Sequence, residues 1–222
     1  MNVPFSTNAE PAGLNSGDEA NLVEINRHRL RDIIPSAPNW LRQCHGIRVL
    51  PASEVESDVS AADGQWSDDA GAVCAVLSAD CLPVLLAAQN GSAVAAIHAG
   101  WRGLADGVVD AGVAALTDAG FESLRAALGP AIGPQHFEVG DEVLDQFASG
   151  GHRLDGAWRR RMDGKALLDL YLLAQRRLQA LGVQCGPRPE FCTYRDKDRF
   201  FSYRRDGVTG RQAGLIWREA TE

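Results

Sequence analysis

Gly71-Ala-Val-Cys-Ala-Val-Leu77, Ser78-Ala-Asp-Cys81, Leu82-Pro-Val-Leu-Leu-Ala-Ala88, Gln89-Asn-Gly91 and Ser92-Ala-Val-Ala-Ala-Ile-His98 form the continuous stretch from which the fold is read. Its apolar runs are strand-sized, and Asn90-Gly91 separates two of them, the strongest short-range signal for a hairpin turn. Two buried antiparallel strands follow. With Asn90 and Gly91 as the central turn residues, Gln89 faces Ser92 and His98 faces Pro83. Residues two apart on a strand share a face, so Cys81 projects from the face of Pro83 and hence of His98, one diagonal step away. That diagonal spans roughly 7–8 Å between backbones, within reach of a Cys and a His converging on one ion.

Downstream, Gly100-Trp-Arg-Gly103 opens a helix with Leu104, Val108, Val109, Val113 and Leu116 on its buried face and Gly120 as its stop. Leu124–Leu128 is a strand candidate running into the Gly129–Pro134 loop, Val139–Phe147 a short helix, and Lys165–Leu181 a longer one closed by Gly182. Upstream, Asn21–Leu30 is predicted helical, ended by Pro35 and Pro38. Trp40–Leu50 places Gln43-Cys44-His45-Gly46 in or just before a strand. Glu54–Asp69, rich in Ser, Asp, Ala and Gly, reads as a surface connection. Alternating strands, helices and hairpins predict an α/β or α+β architecture with a mixed sheet, and residues 1–222 are expected to form one domain.

Composition limits the functions on offer. Hydrophobic residues make up 45% and charged residues 23% of the 222, a globular balance. The 22 basic against 29 acidic residues give a net charge of −7, which opposes binding to nucleic acid or anionic membranes. No apolar run is long enough to span a bilayer. Met1–Asn15 lacks the pattern of a secretory signal, so a cytoplasmic protein is expected. Cys44, Cys74, Cys81, Cys185 and Cys192 are an odd set without repeating spacing, which predicts reduced thiols rather than a disulfide framework.

Two soft ligands need a third, since catalytic zinc sites commonly use three protein ligands and a water. His45, followed by Gly46 beside an apolar strand, is the better third partner for Cys81 and His98, with His136 in reserve. His28 lies in an arginine-rich helix and His152 in a polar loop. Taken singly, a buried Cys is usually a small hydrophobe and a strand-end His a satisfied core residue. The glycines around Arg102 either make a tight turn or open a helix N-terminus where Arg102 helps hold an anion. Asp80 is either a general acid or base beside Cys81 or a turn residue binding backbone N–H groups. Arg195, Arg199, Arg204 and Arg205, among Tyr194, Phe200, Phe201 and Tyr203, suit either base stacking with phosphate binding or a snorkelling surface.

The stretches Trp40-Leu-Arg-Gln-Cys-His-Gly46, Ala79-Asp-Cys-Leu-Pro-Val-Leu85, His98-Ala-Gly-Trp-Arg-Gly103, Leu128-Gly-Pro-Ala-Ile-Gly133 and Arg199-Phe-Phe-Ser-Tyr-Arg-Arg-Asp-Gly207 resemble the laccase-domain family, also described as multicopper-polyphenol-oxidase-like or as purine nucleoside phosphorylases. The resemblance runs along nearly the whole chain. It implies a layered α/β/β/α fold and metal ligands at His45, Cys81 and His98. It also implies phosphorolysis of adenosine, inosine and methylthioadenosine, with adenosine deamination as an additional activity. Zn2+ is the metal that chemistry implies, with Cu2+ and phenol oxidation as the alternative. Purine nucleoside and inorganic phosphate are then the partners, with Asp80 and Arg102 as catalytic candidates. Rival readings are a Cys81 nucleophile activated by His98, a factor correcting cell-wall precursors, and a metal-stabilised interaction module without turnover. The chain departs from the family pattern at its compact front end (Phe5-Ser-Thr-Asn8 to Leu14-Asn15), at Cys44 and at Arg195.

Overall fold

A computed structural model describes residues 20–219. The compact front end therefore lies outside the described residues. The hairpin joins β4 (Leu82–Ala88) to β5 (Val94–Ala99) in the predicted register, with Pro83 opposite His98 and Ala87 opposite Val94. The turn is wider than two residues. The Gly91 N–H donates to the Ala88 carbonyl at 2.9 Å, Gly91 takes φ 76°, and the Asn90 side chain accepts from the Ser92 N–H.

Around this pair a six-stranded sheet assembles in the order β1-β2-β5-β4-β6-β10, where β1 is Val49–Pro51, β2 Gly64–Ser67, β6 Leu124–Leu128 and β10 Gln184–Cys185. The β1/β2 and β6/β10 pairs are parallel and the others antiparallel, so the sheet is mixed. Strand alternation sorts its side chains into two layers. Leu82, Val84, Leu86, Ala95 and Ile97 face the helices α2 (Trp101–Asp106), α3 (Val108–Asp118), α4 (Asp141–Ser149) and α5 (Leu170–Ala180). On the other face Leu85, Ala87, Val94 and Ala96 meet Cys74, Val76 and Ile216 of a two-stranded sheet, β3 (Cys74–Ser78) with β11 (Gln212–Ile216). The outer side of that small sheet, Ala75, Ala213 and Leu215, packs with Trp40, Ile34 and Leu30 at the end of α1 (Ala20–Leu30). The expected single-domain α/β fold with mixed sheets and an α/β/β/α layering is what forms. Among the described residues no helix is long and apolar enough to cross a membrane.

Besides the turn, four expectations need correction. The helix opened by Gly100 is two helices, because Gly107 adopts φ 103° between α2 and α3. Lys165–Leu181 is not one helix. Ala166–Leu168 is β9, central in a three-stranded sheet with β7 (Glu138–Val139) and β8 (Trp158–Arg160), and Asp169 then caps α5 by accepting from the Leu172 N–H. Val139 accordingly belongs to β7, and the short helix begins at Asp141. Glu54–Asp69 is not merely a surface connection, since it contains β2 and the fully buried Asp63 and Gln65.

Candidate metal centre

His98 stands at the end of β5 and Cys81 just before β4, on the side of the sheet away from the helices. His45 comes to them from the loop before β1. Both approaches use left-handed backbone, φ 61° at His45 and φ 94° at Asp80, a conformation non-glycine residues rarely adopt. Gln43 fastens the His45 loop to β3, its amide bonding the Leu77 N–H at 2.7 Å and the Leu77 carbonyl at 2.8 Å. One ligand atom from each of His45, Cys81 and His98 lies within 4.8 Å of the others.

Asp63, not among the residues expected from the sequence to form the site, ties the cluster together. Its carboxylate accepts from the backbone N–H groups of Cys44 (3.2 Å), His45 (2.8 Å) and Gly46 (2.7 Å) and from His98 Nδ1 (2.8 Å). Burial pushes its pKa up, but the His98 contact and the N–H donors outweigh this and hold it at about 2. An ionised carboxylate only accepts, so His98 Nδ1 carries the hydrogen and Nε2 is left for a metal. Burial pushes the Cys81 thiol up as well, and the neighbouring His98 charge and His45 hydrogen bond overcome it, drawing the group towards thiolate.

A thiolate and two imidazoles are a donor set suited to zinc. Zinc bonds of about 2.3 Å to sulfur and 2.0–2.1 Å to nitrogen at tetrahedral angles put neighbouring S and N about 3.5 Å apart. Cys81 Sγ and His45 Nε2 are 3.7 Å apart. The residues present fit the ion.

Close approach accounts for the glycines beside Arg102. A Cβ on Gly100 would sit 2.6 Å from His45 Cδ2 and 3.1 Å from Cys81 Sγ, and one on Gly103 would sit 2.8 Å from the Gly46 carbonyl oxygen. Bare glycine lets α2 lie against the ligand loop. The centre opens into a pocket of about 490 Å³ lined by Gln43, Arg102 and Tyr203 among others, with Arg27, Arg42 and Arg211 as further cations. Arg27 is paired bidentately with Asp58, among the described residues the one carboxylate lining the pocket. The wall is therefore cationic in a chain whose net charge is −7.

The other candidates lie as follows. Asp80 uses both carboxylate oxygens on the C-terminal segment, accepting from Thr193 Oγ1 (2.5 Å), Ser202 Oγ (3.0 Å) and the Arg204 N–H (2.7 Å). Arg102 is exposed on the pocket wall, its guanidinium over the Trp101 ring. His136 is outside the cluster, 3.5 Å from Cys192 Sγ and stacked on Tyr194. Cys44 is exposed, its Sγ 3.2 Å from Asp63. Arg195 pairs with Asp196, Arg199 covers Phe191, and Arg205 donates to the carbonyls of Thr193, Tyr194 and Phe200. These three arginines staple the C-terminal segment, and from that aromatic-rich run Tyr203 reaches the pocket.

Fold and site together define an α/β protein with a His-Cys-His centre at the end of a sheet. Residues 5–219 match the family model described as multi-copper polyphenol oxidoreductase laccase, and the chain belongs to that family. It is 45% identical over 207 residues to purine nucleoside phosphorylase YfiH of Escherichia coli (strain K12), covering 92% of this chain and 84% of the relative. It is equally 45% identical over 206 residues to purine nucleoside phosphorylase PA4543 of Pseudomonas aeruginosa, with the same coverage. The crystal structure of Neisseria meningitidis protein NMB0706 superposes with a TM-score of 0.88 at 37% identity, covering 98% of this chain and 93% of that one.

Proposed function

We propose that the chain is a zinc-dependent purine nucleoside phosphorylase acting on adenosine, inosine and methylthioadenosine, with adenosine deamination as a second activity. The observation that carries this is the convergence of His45, Cys81 and His98 at the floor of a pocket walled by arginines. The names of the similar phosphorylases support it. Bound there, Zn2+ supplies Lewis acidity. Arg102 holds inorganic phosphate against the nucleoside. A phosphate oxygen bonds to the ribose C1′ as the bond from C1′ to the base nitrogen breaks, and the departing base takes the electron pair together with the proton that the hydrogen phosphate gives up. Holding both reactants in one pocket supplies much of the acceleration. For Asp80 the three hydrogen bonds favour positioning over proton transfer, because both oxygens are committed. Free thiols at all five cysteines support a reducing, cytoplasmic setting.

The test is to incubate metal-quantified protein with inosine and with adenosine, with and without phosphate, and to identify the products. Phosphate-dependent release of base is expected from the wild type and is lost in Cys81→Ala and His98→Ala with the circular dichroism spectrum retained. Full activity in either folded variant overturns the reading. The family's name supports a second reading, copper-dependent oxidation of phenols, to which a single ligand triad is a poor match. Copper in the purified protein together with oxygen uptake on phenols would favour it.

A further inference from the structure

We infer that Tyr203 is the platform on which the aromatic base of the nucleoside stacks. The inference rests on the phosphorylase reading for the identity of the base and on the pocket's construction for the residue. Tyr203 opens the short helix α6 (Tyr203–Asp206) and lines the same pocket as His45, Cys81, His98 and Arg102. It is 62% exposed, and among the described residues its side chain has neither a hydrogen bond nor a ring contact. An exposed aromatic is unremarkable alone. Here the backbone on both sides is fixed. Ser202 Oγ and the Arg204 N–H both donate to Asp80 Oδ2, at 3.0 and 2.7 Å. The Arg204 guanidinium reaches the Glu138 carbonyl at 2.7 Å and lies over Phe137, and Arg205 grips three further carbonyls. A tyrosine on so constrained a backbone has only its two side-chain torsions left to order when a flat partner covers it, so most of the stacking energy is kept as affinity. Stacking also tolerates differences in a base's hydrogen-bonding edge, because every base has a π-face. One tyrosine thus serves several purines.

Tyr203→Ala, Tyr203→Leu and Tyr203→Phe test this by steady-state kinetics with inosine and phosphate and by calorimetric titration with inosine. The expected result is a KM and Kd for inosine raised roughly 5- to 150-fold in the Ala variant, the range of base–aromatic stacking. The phosphate KM and the metal content should stay at wild-type values. The Phe variant recovers inosine binding, whereas Leu, apolar but not aromatic, does not. Wild-type turnover with an unchanged inosine KM in the Ala variant overturns the inference alone, as does recovery by Leu. Wild-type binding of inosine without release of base overturns the phosphorylase reading while the Ala titration still decides the platform. No inosine binding by the wild type overturns both.

Discussion

The Nδ1 of His98 lies 2.8 Å from the Oδ1 of Asp63, and the same carboxylate receives three successive backbone N–H groups from the loop that carries His45. A fully buried anion therefore fixes two of the three ligand-bearing segments relative to each other. Asp63→Asn replaces one acceptor oxygen by an NH2 that faces donors. Metal affinity should fall roughly 10- to 100-fold, as for other partners of ligating histidines. Chelator competition on the folded variant measures it, and an unchanged affinity would show that the contact does not tune the site.

Gly100→Ala separates the site from the fold. Gly100 has φ −62°, which alanine adopts freely, so α2 should still form. The added methyl would nevertheless meet His45 and Cys81. The variant is expected to keep a melting temperature within a few degrees of wild type while failing to retain metal on dialysis, as read by elemental analysis. Stoichiometric metal in the variant would mean the ligand loop yields more readily than its hydrogen bonds suggest.

Asp80 supplies a stability prediction. Thr193 is fully buried, and its hydroxyl donates to Asp80 Oδ1 at 2.5 Å. Thr193→Val keeps the shape and removes the donor from a buried carboxylate, which should cost about 1–3 kcal/mol in urea unfolding. A loss within error of zero would show that water replaces the hydroxyl.

Alkaline pH should destabilise the protein through Cys74, which sits between the two sheets. Burial pushes its thiol from 9.0 up to about 12, and burial raises Tyr171 as well. The unfolded chain releases these protons first, so this stability is complete below pH 9 and is lost as pH rises towards 12. Cys74 alone accounts for roughly 4 kcal/mol across that window. The gap between urea midpoints at pH 8 and pH 10.5 should shrink in Cys74→Ala to the share left by Tyr171, and an undiminished pH dependence would rule the thiol out as a source.

What could be read in advance depended on how local the deciding physics was. The Pro83/His98 register follows from a turn signal and the two-residue period of strands, and both act over a few residues. The His45 contact depends on a loop brought from far along the chain, and the family's motifs, not spacing, carried it. Asp63 escaped because β2 is short and its buried side chains, Gln65 and Ser67, are polar, so no apolar alternation marks it. The Ser, Asp, Ala and Gly around it read as a surface connection. From sequence, β9 merges with the following helix because Ala166, Leu167 and Leu168 join smoothly to the apolar spacing of α5. Asp169, a capping residue followed by Leu170, was the available sign of the true boundary.

The hydrogen bonds at Asp80 also impose an order of assembly. The donors to this carboxylate are Thr193, Ser202 and Arg204, all more than a hundred positions downstream. A chain emerging from the ribosome completes the six-stranded sheet with Gln184–Cys185 before any of them is available. Until they arrive, the carboxyl of Asp80 lacks these hydrogen-bond partners, and Tyr203 has no fixed position. The pocket wall therefore closes only after the six-stranded sheet is complete, and a chain released before Arg204 would hold that sheet without a finished wall around His45, Cys81 and His98.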